Sequence, residues 1–249
     1  MYRNTFLSVM FLACCFNGSL CAQSDAQIYE RTCDAKTYPF SDPSPVATPN
    51  NSYYPYFRFD GFSMQAQEKQ WKMVVLENDY VKLTVTPEIG GKIWGAIDKV
   101  NNKEFVYTNG VVKFRDVAMR GPWTSGGIEF NFGIIGHAPT CSTPIDYLTK
   151  KNVDGSVSCH IFSYEWITRT VWNVEINLPK DKAYFTTHTT WFNQSSIDQP
   201  YYQWMNAGYA TKTGTRFYYP GTYSIGHSGD LHPYPIDEEG RDVSWYDNN

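Results

Sequence analysis

Apolar and polar side chains alternate along the chain from Trp71 onward. The alternation has a period of two residues and is clearest in three segments, 81–86, 172–178 and 184–190. A period of two is typical of antiparallel strands that bury one face. We count roughly nine or ten such segments and no amphipathic helix, so the pattern predicts an all-β protein.

Short turn signals separate the alternating segments. Residues 98–103 contain two asparagines, residues 154–155 are Asp-Gly, and residues 179–181 are Pro-Lys-Asp. A Gly-Gly pair at 90–91 predicts a further tight turn between two strands. Regularly spaced hairpins of this kind indicate a large antiparallel β-sandwich or barrel, which we expect over residues 70–249.

The first 22 residues have the composition of a secretory signal peptide. Arg3 precedes a short apolar run at 5–16, and a small polar region ends at Ala22. The run is shorter than the roughly 20 residues that a membrane-spanning helix needs. We therefore expect export to the periplasm or cell surface, with cleavage after Ala22. Lipidation of a cysteine is the less favoured alternative, because Leu20 rather than a small residue precedes Cys21.

Residues 23–69 are rich in proline and aromatic side chains, and five prolines fall between residues 39 and 55. Proline at this density disfavours helices and central strands. We expect an extended lead-in that lies on a neighbouring surface. A flexible export linker is the alternative.

Composition narrows the classes of function. The formal net charge is −4 and no strongly basic run is present, which argues against a nucleic-acid partner. A hydrophobic fraction of 42% with 18% charged residues excludes a disordered chain. Aromatic residues reach 17%, enough to supply a ligand-binding face. The sequence contains no phosphate-binding loop, dinucleotide fingerprint or nucleophile elbow, so we expect no cofactor.

Three cysteines remain beyond the predicted signal peptide: Cys33, Cys141 and Cys159. An odd number allows at most one internal disulfide. We expect Cys141 and Cys159 to be half-buried and unpaired, with a disulfide between them as the alternative. The chain has no Cys-x-x-Cys spacing, so we expect no metal site.

Residues 215–249 are rich in turn-forming residues and end without a recognisable strand. They are either a mobile end of a complete domain or part of a domain that continues. An acidic cluster at 237–242 lacks the ligand spacing of a calcium loop and is expected to be solvated.

Two stretches of sequence carry a resemblance to a known family. The first is VLENDY at 75–80, continuing to TPEIGGKI at 86–93. The second is RGPWTSGGIEFN at 120–131, followed by HAPT at 137–140 and PIDY at 144–147. Together they resemble the domain-of-unknown-function family 5107.

The resemblance extends roughly over residues 70–249 and implies a fold. In that family the domain is similar to the galactose-mutarotase-like supersandwich of many carbohydrate-active enzymes, and helical repeats often follow it. The resemblance therefore implies a sandwich that continues beyond residue 249, with a helical-repeat continuation as a further expectation. It assigns no catalytic residue, because the late glutamate that serves mutarotases as a base has no recognisable counterpart here.

The most informative candidate residues follow the Gly-Pro-Trp sequence. Glu129 and Asn131 alternate with apolar residues and should share one strand face, and Trp123 lies just upstream. Carboxylate and amide groups bind sugar hydroxyls, and an indole stacks on the apolar face of a pyranose. The alternative is a structural ion pair between Glu129 and Arg120 or Arg115.

His137 follows in a loop, where an imidazole beside a carboxylate can transfer protons near neutral pH. We predict Glu129 and His137 as the catalytic pair, with the acid and the base on either side of a sugar ring. Glycoside hydrolysis needs a second carboxylate, for which Asp146 and Glu165 are candidates. Weaker candidates are the remaining histidines: His160, His188, His227 and His232.

Trp204 and Asn206 form a second aromatic-amide set, with a core strand as the alternative. The residues predicted to bind substrate are Arg120, Trp123, Asn131, Asp146, Trp204 and Asn206.

These expectations combine into one functional hypothesis. The chain is predicted to be an exported carbohydrate-active protein that acts on a glycoside or a free sugar by acid–base chemistry, as a glycoside hydrolase or an aldose-epimerase-like enzyme. The alternatives are a non-catalytic carbohydrate-binding module, an inactive remnant, and a structural domain without a ligand.

Overall fold

The computed structural model describes residues 24–39, 63–116, 122–226 and 228–248. The predicted signal peptide and most of the proline-rich lead-in lie outside these residues. The described residues form strands and short 3-10 turns, and they contain no α-helix. The all-β prediction is therefore confirmed. Within the described part of the chain, no helix is long and apolar enough to cross a membrane.

The described residues form sixteen strands rather than the expected nine or ten. In chain order they are β1 Gln27–Tyr38, β2 Gln67–Glu77, β3 Val81–Thr86, β4 Lys92–Asp98, β5 Lys103–Val106, β6 Val112–Lys113, β7 Arg115–Asp116, β8 Pro122–Trp123, β9 Ile128–Phe132, β10 Asp146–Lys151, β11 Val157–Glu165, β12 Thr170–Leu178, β13 Thr186–Asn193, β14 Gln203–Ala207, β15 Tyr223–Ile225 and β16 Leu231–Pro233.

Two kinds of strand account for the difference. Five strands have only two or three residues (β6, β7, β8, β15 and β16), too few to show an alternating pattern. The remaining additional strand is β1, which has 12 residues and lies in the stretch that we interpreted as an extended lead-in. The five prolines begin at Pro39, just after β1 ends, so they leave its backbone N–H groups available for pairing.

The two main sheets pack face to face as a sandwich. The larger has eight strands in the order β14-β9-β4-β3-β2-β1-β6, with β5 also paired to β4. The smaller has the order β10-β11-β12-β13. One buried cluster contains alternate residues of both sheets, including Phe130 and Phe132 from β9 and Val174 and Ile176 from β12. The ring of Phe132 stacks on Trp172 with centroids 4.8 Å apart.

The predicted turns join neighbouring strands. Residues 98–103 link β4 to β5, residues 154–155 link β10 to β11, and residues 179–181 link β12 to β13. Gly90 has a φ of +64° and ends the short turn between β3 and β4. A Cβ on Gly90 would lie 2.4 Å from the carbonyl oxygen of Thr140, so only glycine allows this turn to approach the segment after β9.

No disulfide joins the described cysteines, so the alternative of a Cys141–Cys159 disulfide is wrong. Cys159 faces the core from β11, whereas Cys141 lies in a short turn after β9. Both thiols are buried rather than half-buried, and Cys33 is partly exposed. Burial raises the pKa of the Cys159 thiol to about 12, so this group stays protonated.

Candidate functional site

Strand β9 places a polar pair on the outer face of the large sheet. Ile128, Phe130 and Phe132 belong to the sandwich core, so Glu129 and Asn131 face the opposite side. Both are nonetheless buried, with exposed fractions of 2% and 0%. Asn131 Nδ2 donates a hydrogen bond of 2.9 Å to Glu129 Oε1. The prediction that these two side chains share a face is confirmed.

The neighbouring strand β14 adds the second aromatic-amide set to the same face. Its register places Asn206 opposite Glu129 and Trp204 opposite Asn131. Asn206 Nδ2 donates to Glu129 Oε1 over 3.0 Å. Two segments that are 77 residues apart in sequence therefore converge on one carboxylate oxygen.

The loop after β9 returns His137 to the strand from which it departs. The backbone N–H of Ala138 donates to Asn131 Oδ1 over 2.9 Å, which fixes the loop. His137 Nδ1 then contacts Glu129 Oε1 directly. The imidazole packs near two indoles, with ring centroids 4.7 Å from Trp204 and 6.0 Å from Trp123.

The direct contact corrects the expectation that Glu129 and His137 stand on either side of a sugar ring. A sugar ring cannot fit between two groups that are hydrogen-bonded to each other. They form a single dyad, in which the carboxylate contacts the imidazole through Nδ1. Such an arrangement can orient an imidazole so that its other ring nitrogen exchanges protons.

Lys92 is the site residue that the sequence analysis missed. It begins β4, next to β9, and its exposed fraction is 2%. Its Nζ lies 4.0 Å from Glu129 Oε2 and donates to both the carbonyl and the hydroxyl oxygen of Thr124. One signal was available in the sequence, since a lysine opens the otherwise apolar run Lys-Ile-Trp-Gly-Ala.

Charge and burial act against each other in this cluster. Burial alone raises the pKa of Glu129, but the hydrogen bond and charge of His137, the charge of Lys92 and the bond from Asn131 hold that pKa below its ordinary value. Burial lowers the pKa of Lys92, and the charge of Glu129 opposes this. The cluster therefore keeps Glu129 ionised in a nearly dry environment.

A pocket of about 200 Å³ opens beside the dyad. Its walls include Lys92, Trp123, Glu129, His137 and Asn206, and residues 126–127 and 207–208 complete the lining. The backbone segments approach closely because they are glycine-rich. A Cβ on Gly127 would lie 2.2 Å from the carbonyl oxygen of Ile93, and one on Gly208 would lie 3.0 Å from the Cα of Gly126.

Glu129, His137 and Cys141 present ligand-type atoms within 4.8 Å of one another. The chemistry of their surroundings does not suit a metal ion. Glu129 Oε1 already contacts three side-chain nitrogens, and the Lys92 ammonium lies beside Oε2. Burial and the charge of Glu129 raise the pKa of Cys141 well above its ordinary value, so it presents a thiol rather than the thiolate that binds metals.

Other predicted residues lie elsewhere. Asp146 begins β10 and is exposed, and Glu165 ends β11. Both belong to the smaller sheet and do not line the pocket, so neither is the expected partner carboxylate of Glu129. Arg120 and His227 lie outside the described residues. Glu129 makes its ion pair with Lys92 rather than with Arg115.

The remaining histidines also lie away from the dyad. His160 Nε2 is 3.8 Å from Glu175 on the smaller sheet, and His188 is exposed on β13. His232 Nδ1 is 3.5 Å from Glu238 near the end of the chain. In the acidic cluster, Glu238 and Glu239 are exposed as expected. The Asp237 side chain is only 11% exposed, because it forms an ion pair with Arg241.

The fold and the site define an all-β sandwich with a buried carboxylate–imidazole dyad on the outer face of its larger sheet. The model of the domain-of-unknown-function family DUF5107 matches residues 48–249, and the chain belongs to this family.

A solved structure supports the same architecture. A TPR-domain containing protein from Parabacteroides distasonis is similar, with a TM-score of 0.73 and 25% identity over 81% of this chain. The present chain spans 35% of the length of that protein.

Proposed function

We propose that this chain binds a carbohydrate in the pocket beside Glu129 and acts on a glycoside or a free sugar by acid–base chemistry. The observation that carries the proposal is the Glu129–His137 dyad at a pocket that also contains Trp123 and Asn206. Such a pocket combines a proton-transfer group, hydrogen-bonding groups for hydroxyls and an aromatic surface.

The two oxygens of Glu129 have different roles in this proposal. Oε1 orients His137 through Nδ1, so that Nε2 exchanges a proton with the sugar oxygen. Oε2 is buried and has no hydrogen-bond partner among the described residues. A buried acceptor without a partner is costly, and a sugar hydroxyl supplies the missing donor.

A non-catalytic binding module is the second candidate function. The observation in its favour is that Glu129 Oε1 is shared by Asn131, His137 and Asn206. A carboxylate that is fixed through Oε1 can accept a hydrogen bond from a sugar hydroxyl at Oε2, and this recognition requires no catalysis. In this case Trp123 provides a stacking surface and His137 only positions Glu129.

The change Glu129→Gln separates the two functions, because it keeps the shape of the side chain and removes its charge. We expect turnover of aryl glycosides, or the rate of anomeric exchange of free sugars measured by NMR, to fall by about 10²–10⁴-fold. Binding of the same sugars, measured by calorimetry, should persist. The matched control is Asp146→Asn, an exposed carboxylate outside the pocket, which should change neither quantity.

Each outcome has a distinct meaning. Equal turnover in the wild type and the Glu129→Gln variant overturns the role of Glu129 in orienting His137 for proton transfer. Binding without any turnover in the wild type establishes the module. Absence of both binding and turnover across a panel of monosaccharides and oligosaccharides overturns the carbohydrate proposal.

Three further parts of the proposal concern the whole protein. The galactose-mutarotase-like supersandwich remains an expectation from the family resemblance, and the sandwich of two sheets is compatible with it. Export through a signal peptide at residues 1–22 remains a prediction from the sequence. A helical-repeat continuation is supported by the TPR-domain containing protein to which this chain is similar.

A further inference from the structure

A row of polar side chains crosses the outer face of the smaller sheet, on the opposite side of the sandwich from the pocket. Val174 and Ile176 of β12 belong to the core, so Glu175 between them faces outward. The strand register places His160 of β11 and His188 of β13 opposite Glu175 on its two sides. We call His160, Glu175 and His188 the outer row.

The spacing of the outer row suits a shared ligand. Residues directly opposite each other on neighbouring strands have Cβ atoms about 4.5–5.5 Å apart. His160 Nε2 already lies 3.8 Å from Glu175 Oε1. His188 is exposed, and exposed side chains change rotamer within nanoseconds. Its ring is therefore free to turn toward Glu175 and complete a set of three.

A second layer of hydrogen bonds holds the central carboxylate in place. Ser158 Oγ donates to Glu175 Oε1 over 2.7 Å. The side-chain amides of Asn152 and Asn177 donate to that same Ser158 oxygen over 2.9 and 3.0 Å. Ser158 is fully buried. Carboxylates and imidazoles that bind metals are characteristically oriented by outer partners of this kind.

We propose that the outer row is a binding site for a divalent transition metal ion, with Zn²⁺ as its preferred occupant among the abundant cations. Two imidazoles and one carboxylate are a ligand set that zinc accepts, with a fourth position left for water. Mg²⁺ prefers an all-oxygen environment and should bind poorly. The core separates this site from the Glu129 pocket, so the proposal is independent of the proposed function.

Zinc titration of the full chain, without a polyhistidine tag, tests the proposal. Calorimetry should detect one Zn²⁺ ion per chain and no heat with Mg²⁺. Loss of a residue that only orients a metal ligand typically weakens binding by roughly 10–100-fold. His188→Ala and Glu175→Gln each remove a ligand itself, so each should weaken Zn²⁺ binding by at least this amount. Ser158→Ala should fall within that range. The matched control is His232→Ala, which removes an exposed histidine that is also paired with a glutamate.

The control decides between a built site and scattered surface binding. Unchanged affinity in His232→Ala together with weakened affinity in His188→Ala supports the site. Equal losses in the two variants, or no loss in His188→Ala, overturn it. Circular dichroism of each variant checks that the sheet is intact. The His188 side chain is exposed, so His188→Ala should fold and still tests the site if Ser158→Ala does not fold.

Discussion

Two carboxylates of the sandwich are almost equally buried but are satisfied in opposite ways. Glu129 and Glu165 have exposed fractions of 2% and 3%. Glu165 accepts hydrogen bonds from the backbone N–H groups of Ile167 and Thr168 and from the Thr168 hydroxyl, all within three residues. It closes the turn between β11 and β12. Its partners are local, and both of its oxygens are used.

Glu129 has two local partners, Asn131 and His137, and collects the other two from distant parts of the chain. Asn206 is 77 residues away, and Lys92 comes from a different strand. All of these partners are side chains, and Oε2 is left without a hydrogen bond among the described residues. Burial alone therefore does not distinguish a structural carboxylate from a functional one. The informative difference is the origin of the donors and the presence of an unfilled acceptor beside a pocket.

The largest effect should come from removing the cation beside Glu129. Lys92→Met removes the charge that faces Glu129 Oε2 and leaves the two Thr124 acceptors buried without their donor. We expect the free energy of unfolding to fall by about 3–5 kcal/mol, which is typical when one member of a buried pair is removed. Urea denaturation near neutral pH measures this loss.

A matched surface pair provides the control. Lys82 Nζ lies 3.2 Å from Glu77, and both side chains are partly exposed. Lys82→Met should therefore cost only about 0–1 kcal/mol. The double change Lys92→Met with Glu129→Gln should be less destabilised than Lys92→Met alone, because no uncompensated charge remains. Equal effects of Lys92→Met and Lys82→Met would show that the buried pair has no special role.

An intermediate effect is expected at Glu165. Glu165→Ala leaves the turn N–H groups and the Thr168 hydroxyl without an acceptor, and unsatisfied buried donors cost about 1–3 kcal/mol. Sugar binding at the Glu129 pocket, measured by calorimetry on the folded variant, should not change. If the folded variant lost sugar affinity, Glu165 would not be a purely structural carboxylate, and the contrast with Glu129 would be contradicted.

Local patterns in the sequence predicted much of the fold. The alternation over residues 172–178 predicted β12 and its buried face, and Asp154-Gly155 predicted the hairpin before β11. The same argument correctly placed Glu129 and Asn131 on one face of β9. Each of these inferences depends only on the period of a strand or the φ preference of a turn residue.

Long-range pairing accounts for most of what the sequence did not reveal. No local pattern indicates that β14 lies beside β9, and therefore that Asn206 reaches Glu129. Lys92 stands out only as a lysine at the start of an apolar run, and its link to Glu129 is unknown until β4 and β9 are known to be neighbours. The same limit applies to the expected partner carboxylates, because Asp146 and Glu165 belong to a different sheet.

The smallest effect should appear in the pH dependence of stability. The pKa of Glu129 is lower in the folded chain than its ordinary value of 4.5. Its contribution to stability is therefore fully present above about pH 4.5 and is lost as the pH falls through the lowered folded pKa. One such group changes stability by at most about 1.4 kcal/mol per pH unit. Glu129→Gln lacks this group, so the stability difference between the wild type and the variant should shrink as the pH falls below 4.5.

Urea denaturation of both proteins from neutral to acidic pH measures the difference, with Asp146→Asn as the control. A difference that stays constant across this range would mean that Glu129 is not held ionised by His137 and Lys92.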